Sequence, residues 1–175
     1  MKSGRPEGSE FAPYAQPDID YVEGDDAVSV LRDQERVVID FFSSFSEDTA
    51  NGLTYAPGKW TLKEVLGHLT DDERIFAYRA LCVARGDATP LPGFDENEYV
   101  AGGNFESRTL ADLLDEYRSV REASITLFAS LSDEASIRCG TVNGYSASPR
   151  GLAFHIAGHE LHHLRTLRER YVAVK

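Results

Sequence analysis

Ser148-Pro149-Arg150-Gly151-Leu152-Ala153-Phe154-His155-Ile156-Ala157-Gly158-His159-Glu160-Leu161-His162-His163-Leu164-Arg165-Thr166-Leu167 is the stretch from which the rest of the chain is read. A helix begins at Ser148, with Pro149 in the first turn, where a helix tolerates proline. Leu152, Ile156, Leu164, Leu167 and Tyr171 supply its apolar positions at helical spacing. His155, His159 and His163 fall at i, i+4 and i+8, so they stack along one face with side chains ~5–6 Å apart. His162 points about 100° away from His163 and cannot join that stripe. The leucines and Ile156 bracket the stripe, which places the imidazoles on or beside the buried face. Arg165, Arg168 and Arg170 sit in the last turns, where cations suit the helix dipole, and read as a solvated face.

Three more helical stretches precede this one. The first covers about residues 25–45, with Val28, Leu31, Val38, Phe41, Phe42 and Phe45 on one stripe. The second begins at Thr61, where Thr61 and Glu64 match a capping box, and Gly86 marks its stop. Its buried face reads Leu62, Val65, Leu66, Leu69, Phe76 and Ala80. The third begins near Thr109, and Leu110, Leu113, Leu114, Tyr117, Val120, Ser124, Phe128 and Leu131 recur at threes and fours. The link over residues 86–108 is long for a compact bundle, so it can cross the whole bundle and leave its two helices parallel. Its Pro90, Pro92, Phe94 and Tyr99 imply that it packs down as a cover. Asn143-Gly144 is the signal for a tight hairpin turn, although its flanks are too short for a proper sheet. The fold class is therefore all-α, a four-helix bundle with long crossover connections. Residues 1–22, rich in glycine and proline without helical period, read as an extended arm, and residues 23–175 as the bundle domain.

The 175 residues suit one domain and need no disulfide or metal to fold. A net charge of -11 argues against nucleic acid and against a polybasic membrane-surface role. No apolar run approaches the ~20 residues of a membrane span, and the N-terminus carries no signal-peptide core. Cys82 and Cys139 make neither a disulfide framework nor a zinc ribbon, and read as thiols of a reducing cytoplasm. No nucleophile elbow and no glycine-rich phosphate loop occurs.

Four of the five histidines thus fall within nine residues, and the fifth, His68, sits among Val65, Leu66 and Leu69 on the inward face of the second helix. Stacked buried imidazoles need partners and cannot all be cationic. A metal resolves both demands, since neutral imidazole is a ligand for zinc, nickel and iron. Two helices would then contribute His68 plus two of the stripe, leaving at least one position open, the pattern of a reactive site. The competing reading is a set of core histidines hydrogen-bonded to protein groups. His159-Glu160-Leu161-His162-His163 contains H-E-x-x-H literally, which raises a zinc-protease reading. Only twelve residues follow His163, none a plausible third ligand, and the helical pattern lacks a protease scaffold, so that reading is set aside.

The segment from Tyr55 through Trp60, Thr61, Glu64, His68, Asp71, Asp72 and Glu73 to Arg74 resembles the second-helix signature of the DinB/YfiT-like superfamily. The Ala157-Gly158-His159-Glu160-Leu161-His162-His163 stretch resembles its fourth-helix signature, in the expected order. The resemblance implies a four-helix bundle, often dimeric, with a divalent metal held by His68, His159 and His163. It leaves His155 as a lining residue and makes the choice within the stripe ambiguous by one helical turn. It further implies small-molecule chemistry, either thiol-dependent transfer or isomerisation with a low-molecular-weight thiol, or metal-dependent hydrolysis. Both follow from one open tri-histidine site, which can activate water or a thiol.

Asp72, four residues after His68, is placed to orient an imidazole or bind the metal, or else is one of a run of surface acids. Trp60 reads as an anchor of the helix start. Asn143, Tyr145 and Arg150 lie near the start of the fourth helix, within possible reach of a substrate. The expectation is a cytoplasmic metalloprotein, with zinc or nickel, acting on a small molecule in stress or detoxification. The alternative is a non-enzymatic metal-binding or interaction bundle with a vestigial site.

Overall fold

The computed structural model describes residue 1 and residues 4–171. Four long helices carry the fold: α2 (Ala27–Ser43), α4 (Leu62–Ala84), α6 (Leu110–Ser130) and α8 (Pro149–Thr166), after a short α1 (Gln16–Tyr21). Short helices α3 (Glu47–Gly52), α5 (Glu96–Gly103) and α7 (Asp133–Ile137) lie in the connections. Strands β1 (Gly140–Val142) and β2 (Tyr145–Ala147) form an antiparallel pair in register Thr141 to Ser146. The long helices start where their caps dictate. The Thr61 side chain accepts the Glu64 N–H while the Glu64 carboxylate accepts the Thr61 N–H, closing the capping box. The side chains of Asp26, Thr109 and Ser148 cap α2, α6 and α8 by accepting first-turn N–H groups, without the reciprocal bond.

Contacts between helices give their directions. Lys63 reaches the Arg108 carbonyl, Arg74 pairs with Glu116, and Tyr78 and Leu81 lie beside Ser119 and Leu127. Positions rise together along both chains, so α4 and α6 are parallel and the intervening link crosses the bundle. His68 meets His159 and His163 while Phe76 meets His155, so α4 and α8 are antiparallel. The crossover does pack down. Leu91, Val100 and Phe105 are buried, and Leu91 pairs with Thr141 and Asn143 beside the hairpin. A Cβ on Gly67 would lie 2.3 Å from the Phe105 ring, so only glycine lets this aromatic seat beside His68.

The core is not purely apolar. Arg121 of α6 is fully buried between Glu73 of α4 and Glu160 of α8, at 2.8 Å and 2.6 Å, and donates also to the Leu31 carbonyl of α2. The Tyr117 hydroxyl donates to Glu160. One guanidinium thereby joins all four long helices.

Two regions differ from the reading of the sequence. The Asn143-Gly144 turn does carry paired strands, three residues each, with both turn residues at positive φ. Residues 13–21 are not extended: a 3-10 turn (Pro13–Ala15) leads into α1, and Phe11, Ala15, Ile19 and Val22 are buried. Proline at a first turn starts a helix as readily as it breaks one, and here Pro13 and Pro17 both stand at helix starts. The segment straps α8 closely, and a Cβ on Gly158 would lie 2.0 Å from the Asp18 carbonyl oxygen.

Arg121→Met should lower the unfolding free energy by about 3–5 kcal/mol in urea titrations, because it leaves two buried carboxylates without their cation. Gly158→Ala should lower it by roughly 1–3 kcal/mol and expose residues 1–22 to limited proteolysis, because the methyl displaces the strap.

Candidate metal centre

Helix spacing brings three imidazoles to one point. His159 and His163, one turn apart on α8, face His68 on α4. The Nε2 atoms of His68 and His159 are 3.3 Å apart, those of His163 and His159 3.1 Å apart, and the three ligand atoms lie within 4.8 Å of one another. An ion holding nitrogens at ~2.0–2.1 Å in tetrahedral geometry sets them roughly 3.3 Å from each other. The spacing fits one ion. Without one, two N–H groups would have to share the single lone pair of the His159 Nε2.

Burial favours the neutral form of the His68 and His163 rings, and Asp72 holds the His159 ring by its other nitrogen. The Asp72 carboxylate lies 3.3 Å from the His159 Nδ1 and accepts a hydrogen bond from its N–H, which leaves Nε2 free to act as a ligand. Burial would raise the Asp72 carboxyl, but the facing His159 ring, helped by His155 and His68, holds it down at about 2. Burial, then the adjacent His159, pushes His68 down to about 4. The same causes push His163 well below the usual histidine range. His159 alone is raised, because Asp72 more than offsets its burial. Trp60 covers the group, its ring 4.8 Å from His68 and nearly parallel to His163 at 6.5 Å.

A cavity opens on each side of the three rings. One, of about 330 Å³, is lined by His163 with Tyr55, Trp60, Tyr171 and Arg170. The other, of about 230 Å³, is lined by His159 with Asp72, Asp18, Arg79, Phe94 and Asn143. Glu96 of the crossover borders both.

The remaining sequence candidates are distributed unevenly. His155 is stacked on Phe76, ring centres 4.3 Å apart, and its buried Nδ1 has no hydrogen-bond partner among the described residues, with Asp18 at 3.8 Å. It lines the smaller cavity and stands outside the three-nitrogen cluster. His162 is turned outward and meets Asp18 at 3.0 Å. Glu160 points away from the histidines to Arg121 and Tyr117, so the H-E-x-x-H stretch lacks a free general base. Asp72 and Glu73 are buried, not surface acids. Arg150 is held by Glu10 of the strap, and Tyr145 packs on Tyr14, whereas Asn143 lines the smaller cavity. Arg170, read as part of a solvated face, borders the larger cavity over the Tyr55 ring. Asp18, Arg79 and Glu96 were not legible as site residues. The one available signal was for Arg79, which continues the His68, Asp72, Phe76 face at helical spacing.

The unfolded chain protonates His68 and His155 near pH 6.5, whereas the fold holds both neutral until about 4. The stability of chelated protein should therefore be complete above that upper value and decline as pH falls toward the lower one. Urea midpoints across this window should show the decline, and His155→Phe, which keeps a ring on Phe76, should flatten it.

The family profile of the DinB superfamily matches residues 30–167. No curated protein matches the sequence. Among solved structures, YfiT from Bacillus subtilis, described as a probable metal-dependent hydrolase with an unusual four-helix bundle topology, superposes with a TM-score of 0.77 at 14% identity. That match covers 99% of this chain and 95% of YfiT. A mycothiol-dependent maleylpyruvate isomerase superposes with a TM-score of 0.66 at 13% identity, over 78% of this chain and 57% of its own length. At such identities the likeness concerns the fold alone.

Proposed function

This chain belongs to the DinB superfamily, and from that premise we propose that His68, His159 and His163 hold one divalent ion, zinc or nickel, for thiol transfer to, or hydrolysis of, a small molecule in stress or detoxification chemistry. The convergence of three Nε2 atoms at 3.1 Å and 3.3 Å carries the reading. The mycothiol-dependent isomerase and the probable hydrolase of similar fold supply the two reaction classes.

When bound, such an ion supplies Lewis acidity that makes water or a thiol nucleophilic at neutral pH. The chain supplies the rest. Asp72 fixes the His159 tautomer, and burial keeps the His68 and His163 rings neutral. Trp60 screens two of the three rings from solvent. Separate cavities bordering His163 and His159 favour transfer between two molecules over hydrolysis of one. An inert bundle with a vestigial site has no need of two openings beside the same rings. The acidic surface, at a net charge of -11, supports a small-molecule substrate over nucleic acid or an anionic membrane. No helix among the described residues is long and apolar enough to cross a membrane. On this reading the protein works in the cytoplasm.

Mass spectrometry of untagged protein should find about one metal per chain, absent from His159→Ala and His163→Ala. Asp72→Asn should keep the site but weaken affinity by roughly 10–100-fold in a chelator competition. Protein that takes up neither zinc nor nickel would overturn the reading. With metal in place, a screen of thiols against electrophiles beside an ester panel separates transfer from hydrolysis.

A further inference from the structure

Three arginines are buried among the described residues, and two of them stand in ion pairs. Arg121 lies between Glu73 and Glu160, and Arg150 is paired with Glu10. Arg79 is 4% exposed, and among the described residues no carboxylate stands within ion-pair distance of it. One of its N–H groups donates to the Pro92 carbonyl at 2.6 Å. Its guanidinium otherwise packs against aromatic rings, 4.8 Å from the centre of Phe76 and 5.6 Å from that of Phe94. The guanidinium also lines the cavity beside His159, where a fork-shaped acceptor from outside would complete it.

We infer that Arg79 forms a carboxylate-binding subsite in the cavity beside His159, so that the substrate is a compact carboxylic acid with an apolar body. The word substrate rests on the function proposed above; the subsite rests on the cavity. Arg79 lies seven residues after Asp72 on one face of α4, a rise of roughly 10 Å. The cavity has a cationic end at Arg79 and an acidic end at Asp72, Asp18 and Glu96, beside the histidines, with the Asp72 charge also felt at Arg79. An anionic ligand is repelled from the second end and drawn to the first, which orients it with its uncharged part toward His159. The planar fork of a guanidinium suits a carboxylate better than any other small group. Phe76 and Phe94 supply apolar walls, and Asn143, at the hairpin tip, brings an exposed amide to the rim. A volume of about 230 Å³ admits a ligand of benzoate size and excludes a large one.

Benzoate and its neutral analogue benzamide test this on the full chain, by calorimetry and by the ring resonances of His155 and His159. Each titration is run on protein as purified and again after chelation. Benzoate should bind in both states and shift those resonances, and benzamide should bind roughly tenfold or more weaker. Arg79→Met, which keeps the packing between the phenylalanines, should lose benzoate affinity by a similar factor, and Arg79→Lys by less. Four results would overturn the subsite: no benzoate binding, equal binding of benzamide, binding without movement of the two histidines, or unchanged binding in Arg79→Met. Binding that vanishes on chelation would assign the carboxylate to the metal and would overturn it too. If Arg79→Met does not fold, the comparison of benzoate with benzamide on the parent still decides. Because the chelated arm contains no metal, failure of the metal reading and failure of the subsite give different results.

Discussion

The buried ion pair of Arg121 with Glu73 and Glu160 is the constraint from which the site follows. Glu160 is the immediate neighbour of His159, and Glu73 stands five residues beyond His68. A guanidinium fork accepts its carboxylates only in a narrow range of distance and angle. By clamping both glutamates it sets how far α8 is shifted along α4. That axial offset decides whether His68 meets the stripe at His159 and His163 or one turn away. An apolar core would hold the helices together as tightly but would tolerate sliding. The ambiguity of one turn left by the three stacked histidines is resolved geometrically at this pair, about 100° round α8 from His159.

The second layer of control comes from segments outside the four helices. The strap at residues 10–22 brings Tyr14 and Asp18 to the smaller cavity, and its close approach is permitted by Gly158 in the middle of the histidine stretch. The crossover brings Phe94 and Glu96, and its Phe105 is seated on Gly67 next to His68. The hairpin brings Asn143, anchored through the pairing of Leu91 with Thr141 and Asn143. Helices place the imidazoles, where precision is needed, and connections place the walls, where chemistry differs most among proteins of one fold.

Charge is distributed with the same economy. The surface is strongly acidic, yet the three buried arginines are all within the bundle or its strap. Two of them are structural, saturated by carboxylates of the chain itself. The third, Arg79, lines a cavity, and among the described residues it stands in no ion pair, a difference in pairing and not in burial.

Much of this was legible from local pattern. Apolar spacing and caps placed α2, α4, α6 and α8 to within a few residues, because helix formation depends on neighbours three and four positions apart. The same spacing put His155, His159 and His163 on one face and His162 off it. The 3-10 turn and α1 were missed because prolines at helix starts look the same as prolines in a loose arm until something packs on them. Asp72 read either as an orienter of an imidazole or, with Glu73, as part of a surface run, since burial of a polar side chain is set by what faces it. The sequence by itself determined the helices, their order and the histidine stripe. Only the tertiary structure decided which imidazoles converge, that Asp72 is buried against one of them, and which buried arginine lines a cavity instead of an ion pair. Those outcomes depend on distances between residues some 90 positions apart, such as the 3.3 Å from His68 to His159, which no local pattern encodes.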